Sequence, residues 1–355
     1  MGFSCGFLGL PNVGKSTIFN ALSAAGAEVE SYPFCTTEAK IGYVEVPDEN
    51  LDQLSKLFPE KEKVKTKIEF YDIAGLVEGA HEGEGLGNKF LADIRGVDAL
   101  IHVLRCFEDQ DVAPVGGRVD PVSDLQIIET ELLLKDLETV EGVLEEKDNL
   151  DEGYKDILNR IKMGLEEGQP VRDMDLNRSE KDEIKNLSLL TEKPKLFVAN
   201  VDDDTSSEVL SELEAETAGR KGNLLVINGR IEAEVREITE SEEERKEYLA
   251  QWGINRTALD KLIRTGYDLL DLITFYTTDG PEVRAWTVPQ GTQALKAASK
   301  IHSDFSDRFV QVEVVPVLDM LEMGSIKEIR RAGKLMKKGE NYPVKDGDVL
   351  HFIAG

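Results

Sequence analysis

Short apolar runs at Phe3 to Leu8, Ile41 to Val46, Ile68 to Tyr71, Ala99 to Leu104, Leu196 to Ala199 and Leu224 to Ile227 have the length of buried strands. Helical patterns separate several of them, and that alternation predicts a doubly wound α/β domain with a mostly parallel sheet. Between Pro121 and Pro194 the pattern changes. Ile127, Leu134, Leu137, Val140 and Leu144 recur at three- and four-residue spacing among carboxylates and lysines, which predicts one long amphipathic helix. The spacing breaks at Asp148 to Gly153, resumes at Tyr154, Ile157, Leu158, Ile161 and Leu165, and stops at Gly168-Gln169-Pro170. Two helices joined by a short polar turn predict an antiparallel hairpin inserted within the sheet domain at about 122–193.

Charge-rich helical sequence from Glu234 to Ile273 closes the first domain, which is expected to span 1–274. A second unit, 275–355, then begins with a hairpin: Phe275 to Thr278, a turn at Asp279-Gly280-Pro281, and Val283 to Val288. A helix from about Thr292 to His302 and a last strand at Val349 to Ile353 make it a small β-rich α+β unit.

At 355 residues, two or three domains are expected. With 42 basic against 69 acidic residues the net charge is −27, which disfavours general attraction to DNA, RNA or anionic membranes and confines any polyanion contact to a local patch. The one stretch where the balance reverses is Lys327, Arg330, Arg331, Lys334, Lys337 and Lys338. Cys5, Cys35 and Cys106 are odd in number and lack metal-ligand spacing, so a reducing compartment is expected. No apolar run approaches membrane-spanning length, and the amino terminus runs directly into a phosphate-binding motif; a cytoplasmic protein is expected.

That motif is Gly9-Leu10-Pro11-Asn12-Val13-Gly14-Lys15-Ser16, a complete G-x-x-x-x-G-K-[ST] between a strand and a helix. The glycines let successive backbone N–H groups of Asn12, Val13, Gly14 and their neighbours, through Thr17, wrap a polyphosphate at a helix amino end. Lys15 places a point charge on the β- and γ-phosphates, and the Ser16 hydroxyl is a Mg²⁺ ligand. Asp72-Ile73-Ala74-Gly75 follows a strand, where Asp72 can hold a magnesium-bound water and Gly75 can meet the γ-phosphate. Either Thr36 or Thr37, in the loop after the first helix, can complete the metal shell. Asn200-Val201-Asp202-Asp203 stands where GTPases carry Asn-Lys-x-Asp; Val201 replaces the lysine while Asp203 keeps a carboxylate suited to guanine, so these residues leave the base open.

Together with the Tyr32-Pro33-Phe34-Cys35-Thr36 loop and the run Asp72 to Ala80, the phosphate motif resembles the Obg-related GTPases. Gly83-Glu84-Gly85-Leu86-Gly87-Asn88-Lys89-Phe90-Leu91, His102 to Phe107, Val283-Arg284-Ala285-Trp286 and Val344 to Asp348 narrow the resemblance to the YchF, or Obg-like ATPase, family over nearly the whole chain. The resemblance implies an Obg-type G domain, an inserted helical hairpin and a C-terminal TGS domain of β-grasp type. It selects Thr36 for the metal and implies ATP over GTP, although Asp203 occupies the place of the family's usual glutamate. Asn200 and Val201 would lie against the base, with Asn228 and Gly229 in the fifth-motif loop.

Leu76 replaces the water-orienting glutamine of Ras-like enzymes, and by residue count Pro114 replaces the family's histidine after Arg105-Cys106-Phe107. His81 is the one local substitute, so slow hydrolysis is expected, with K⁺ near Asn12 as a further cation. The resemblance also implies a ribosome or ribosomal RNA as partner, reached through the TGS and helical parts. A GTP-specific switch, or an adaptor that binds RNA or protein without hydrolysis, are the competing functions.

Overall fold

The computed structural model describes residues 3–23, 29–31, 40–73, 92–146, 150–220, 222–239, 257–302 and 308–355, with 244, 247, 248, 250 and 304. They divide into two compact units, one made of Phe3–Val44 and Glu69–Leu262, the other of Glu45–Ile68 and Ile263–Gly355.

The first unit carries strands β1 (Phe3–Leu8), β2 (Val29–Ser31), β3 (Lys40–Glu45), β5 (Lys67–Asp72), β6 (Ala99–Arg105), β7 (Lys195–Asn200) and β8 (Asn223–Ile227). Their spatial order is β2-β3-β5-β1-β6-β7-β8. The pairs β1/β6, β6/β7 and β7/β8 are parallel, and β2 pairs antiparallel with β3. Every residue of β6 and of β7 is buried, which is why both read as unbroken apolar runs and not as alternating ones. All six strands expected from the apolar runs are present, to within one or two residues at their ends. Parallel strands deliver their carboxyl ends to one edge, so the loops after β1, β6, β7 and β8 open on the same side.

The expected hairpin is two helices, α3 (Pro121–Glu146) and α4 (Glu152–Glu166). The Asp151 carboxylate accepts the N–H groups of Gly153 and Tyr154 and so caps α4, and Gly168 turns the chain beyond it at φ 78°. Val140, Ile157, Leu158, Ile161 and Leu165 share one apolar cluster, joined by Val171, Leu176, Ile184 and Leu189 from the short turns that complete the insert. The foot of α3 belongs to the sheet instead: Leu125 packs with Leu104, Cys106, Phe197 and Leu213. Between these two cores, Glu129 binds Lys195 at the start of β7 and Arg172 at 3.1 Å.

In the second unit the sheet order is β12-β11-β13-β9-β10-β4, from β4 (Glu62–Val64), β9 (Leu272–Thr277), β10 (Glu282–Pro289), β11 (Phe309–Pro316), β12 (Met336–Lys338) and β13 (Asp348–Ala354). The anticipated hairpin is β9/β10, and the anticipated helix is Ala294–Ile301; His302 stands just past its end as the cap. One apolar cluster joins that helix to Phe275, Val312, Val314 and Leu350; the other joins Tyr276, Val283 and Val349 to Leu51 and Leu54 of α2 (Glu49–Leu57). The division therefore differs from the expected boundary at 275. Residues 45–68 close the C-terminal sheet, with β4 parallel to β10 and the Tyr276 hydroxyl donating to Asp48 at 3.0 Å. A pairing across more than two hundred positions leaves no local pattern in the sequence.

Candidate functional site

The phosphate motif forms a tight turn from β1 into the helix α1 (Lys15–Ser23). Gly9 has φ 150° and Gly14 φ 91°, and a Cβ on Gly14 would lie 2.1 Å from Asn200 Nδ2, so only glycine fits that close approach. Lys15 is 7% exposed, and its ammonium donates to the carbonyls of Gly9 at 3.1 Å and Leu10 at 2.8 Å. Burial pulls its pKa down to about 8, against the opposing attraction of Asp72. The loop thus holds a cation among carbonyls at the amino end of a helix, an arrangement that a polyanion relieves.

Ser16 and Asp72 come together across the end of the sheet, the Ser16 hydroxyl donating to Asp72 Oδ2 at 2.7 Å. An alcohol and a carboxylate this close are hard oxygen donors of the kind Mg²⁺ selects, so the residues fit that ion. Thr36, Gly75 and His81 lie outside the described residues.

Beside the loop is a cavity of about 340 Å³. Asn12, Gly14 and Thr17 line it from the phosphate side; Phe107, Glu108, Asp109 and Val112 from the segment after β6; Asn200, Val201, Asp202, Asn228 and Arg230 from the ends of β7 and β8. Asn200, 5% exposed, ties the end of β7 to the phosphate loop and to the turn after β8. Its Nδ2 donates to Val13 O at 2.9 Å, and its Oδ1 accepts the Gly229 N–H at 3.0 Å. Val13 is itself buried, contributing its backbone to this link. The Val201 N–H is used up on Ile227 O, while Asn228 caps the Gly229–Ile238 helix by accepting Ile231 N–H at 3.1 Å.

The two carboxylates of the fourth loop have separate fates. Asp202 lines the cavity, and its oxygens accept the Glu108 N–H at 3.0 Å, the Thr205 hydroxyl at 2.6 Å and the Asp204 N–H at 3.2 Å. Burial raises its pKa, but those donors outweigh burial and hold it below the usual range. Asp203, the expected base-reading carboxylate, is exposed and does not line the cavity. Sequence reasoning passed over Asp202 and did not assign Phe107, Glu108, Asp109 or Val112 to the site; the run Arg105-Cys106-Phe107 at a strand's carboxyl end was the signal available.

Among the other histidines, His102 is fully buried in β6 and neither ring nitrogen has a hydrogen-bond partner among the described residues. Burial and then Lys195 push its pKa down to about 3 despite Glu129, so it is neutral and takes no part at the phosphate end. Pro114, standing in the place of the family's histidine, opens a short 3₁₀ turn at Val115–Gly117.

Residues 4–145 match the family model described as 50S ribosome-binding GTPase, and residues 272–354 match that of the YchF-GTPase C-terminal region, described as a protein of unknown function. The ribosome-binding ATPase YchF of Bacillus subtilis (strain 168) is 42% identical over 364 residues, covering 99% of each chain. That of Escherichia coli O157:H7 is 42% identical over 363 residues with the same coverage. The solved structure of the Schizosaccharomyces pombe YchF GTPase is 34% identical and has a TM-score of 0.86, over 99% of this chain and 98% of that one. A GTP binding protein from Pyrococcus horikoshii OT3, 19% identical with a TM-score of 0.56, shares the fold. A likeness that runs unbroken from the phosphate loop through the insert to the last strand leaves one conclusion: this chain belongs to the YchF family of P-loop proteins.

Proposed function

We propose that the chain is a nucleotide-dependent switch that binds ATP in preference to GTP, hydrolyses it slowly, and works on ribosomes in the cytoplasm. The observation that carries the nucleotide reading is the cavity beside the phosphate loop, whose lining includes the apolar Phe107, Val112 and Val201. Guanine needs a carboxylate with free oxygens for its N1 and N2 protons. Asp202 has its oxygens engaged by Glu108, Thr205 and Asp204, and Asp203 stands outside the lining. Adenine makes no such demand, and relatives of this chain carry the name ribosome-binding ATPase.

In this reading, Lys15 and the N–H groups from Asn12 to Thr17 hold the β- and γ-phosphates, and Asn200, Val201, Asn228 and Gly229 hold the base end. Ser16 and Thr36 would ligate Mg²⁺, with Asp72 holding one of its waters. When bound, that ion would supply neutralising charge to the phosphate oxygens. Lys15 compensates the same charge from the loop side, so its ammonium must stay protonated through the reaction. Gly75 and His81 enter from the sequence, as the γ-phosphate contact and the residue orienting water. A K⁺ beside the phosphates would meet only the amide oxygen of Asn12, because Nδ2 donates to Ala113 O at 3.3 Å.

Equilibrium competition of ATP against GTP, in Mg²⁺, tests the base; tighter GTP binding overturns the ATP choice and supports the GTP-specific reading that the name of the Schizosaccharomyces pombe YchF GTPase suggests. Single-turnover hydrolysis, with Lys15→Ala as the control, tests the enzyme. A wild type no faster than that variant supports the adaptor. For the ribosome, contact through ribosomal RNA has to overcome local pairing in the basic stretch, where Arg330 meets Glu313 at 3.3 Å, Arg331 meets Glu328 at 2.8 Å and Lys334 meets Asp319 at 2.7 Å. Cosedimentation of ATP-bound and ADP-bound protein, with and without Lys327→Glu and Lys338→Glu, decides it. Binding indifferent to both nucleotide and charge refutes the partner. Among the described residues no helix is long and apolar enough to cross a membrane.

A further inference from the structure

Arg105, the last residue of β6, is only 2% exposed and is among the largest fully buried side chains of the described residues. A guanidinium is costly to bury, and a leucine would fill such a position without that cost. What the arginine holds is the segment that follows it. Its Nε donates to Phe107 O at 3.1 Å and its Nη2 to Val112 O at 2.8 Å, so one rigid fork spans both ends of a six-residue loop. The guanidinium carbon also lies 4.5 Å from the centre of the Phe107 ring, in cation–π geometry. The third nitrogen, Nη1, is buried without a partner, an unsatisfied donor retained beside two good bonds.

The clamped loop is the wall of the cavity: Phe107, Glu108, Asp109 and Val112 all line it. Other ties act at its edges. Asp202 receives the Glu108 N–H, and Asn12 reaches Ala113 O. Within the loop, the Asp111 N–H turns back to Asp109 Oδ1 at 2.8 Å. Arg105 alone among these grips the carbonyl of Val112 from the protein interior.

We propose that Arg105 is a positioning residue that shapes the base end of the nucleotide site, fixing Phe107 and Val112 as a preformed wall and thereby setting base selectivity. It touches no phosphate-binding residue in the described contacts, so its influence should fall on the base and spare the phosphates. The proposal rests on the reading of the cavity as a nucleotide site.

The test is calorimetric binding of three probes in Mg²⁺, namely ADP, GDP and inorganic tripolyphosphate, to the full chain carrying Arg105→Met or Arg105→Lys. Losing two charge-assisted hydrogen bonds to the loop should weaken ADP about tenfold in Arg105→Met. Tripolyphosphate should stay within about twofold, and the ADP to GDP preference should shrink, because loosening a wall penalises the ligand that the wall fits. Arg105→Lys keeps the charge and reaches one carbonyl, so it should recover part of the ADP affinity. Unchanged ADP affinity in Arg105→Met, or an equal loss for ADP and tripolyphosphate, overturns the proposal. If Arg105→Met does not fold, Arg105→Lys is judged by the same split between ADP and tripolyphosphate. A wild type that binds tripolyphosphate but neither nucleotide would instead defeat the nucleotide reading.

Discussion

Replacing Asn200 strikes the point where the phosphate loop and the ends of β7 and β8 are tied together. Its amide makes two buried hydrogen bonds, giving one to Val13 O at 2.9 Å and taking one from Gly229 N–H at 3.0 Å. In Asn200→Ala both backbone groups lose their partners in a position where the native side chain is 5% exposed. Each stranded group costs roughly 1–3 kcal/mol, with water recovering part of it, so a total of about 2–4 kcal/mol is expected. For a unit of this size that corresponds to a melting shift of about 5–15 °C. Asn200→Asp separates the two halves. The carboxylate keeps an acceptor for Gly229 but turns an oxygen toward the Val13 carbonyl, replacing attraction with repulsion while conserving volume. It should therefore lose at least as much stability as alanine, and it should bind Mg-ATP at least tenfold more weakly than wild type, since the phosphate loop is displaced. Thermal melts followed by calorimetric titration read both quantities. Wild-type melting and affinity in Asn200→Asp would refute the claim that this one amide ties the phosphate loop to the end of β8.

The titration of Lys15 makes nucleotide affinity pH-dependent. With its pKa pulled down to about 8 by burial, the ammonium is charged below that value and lost above it, so Mg-ATP affinity should be flat from pH 6 to 7.5 and fall by up to about tenfold per unit beyond pH 8. Titrations across that range should show the slope in wild type and none in Lys15→Met; a flat wild-type profile contradicts the buried ammonium. Removing Glu129 strands Lys195 and Arg172, so Glu129→Gln should destabilise the first unit by about 3–5 kcal/mol, read by urea or thermal melts, and a change under 1 kcal/mol would show the cluster to be neutral. Burial raises the Glu129 pKa, but Lys195 and then Arg172 outweigh burial and bring it down to about 2. A depressed carboxylate stabilises above its unfolded pKa of 4.5 and loses that contribution as pH falls toward 2, so the gap between wild type and Glu129→Gln should narrow over that window.

Sequence alone determined whatever local periodicity or a contiguous motif encodes. The six apolar runs became six strands, and the two that are buried on both faces, β6 and β7, are apolar along most of their length for that reason. The three- and four-residue spacing became α3 and α4 because each must bury one stripe. Gly9 to Ser16 was legible as a phosphate loop because its glycines at 9 and 14, both at positive φ, and its lysine form one contiguous motif. Tertiary structure decided the rest, wherever distant residues share a hydrogen bond or a core. That Leu51 and Leu54 serve the C-terminal sheet follows from packing against Tyr276 and Val283, more than two hundred positions away. Which of two adjacent aspartates turns inward depended on donors from Glu108 and Thr205, so the residue number favoured by motif spacing, Asp203, gave way in the cavity wall to Asp202. Arg105 reads in sequence as a charge interrupting a strand's end, and its purpose becomes visible only when two carbonyls of the following loop close around it.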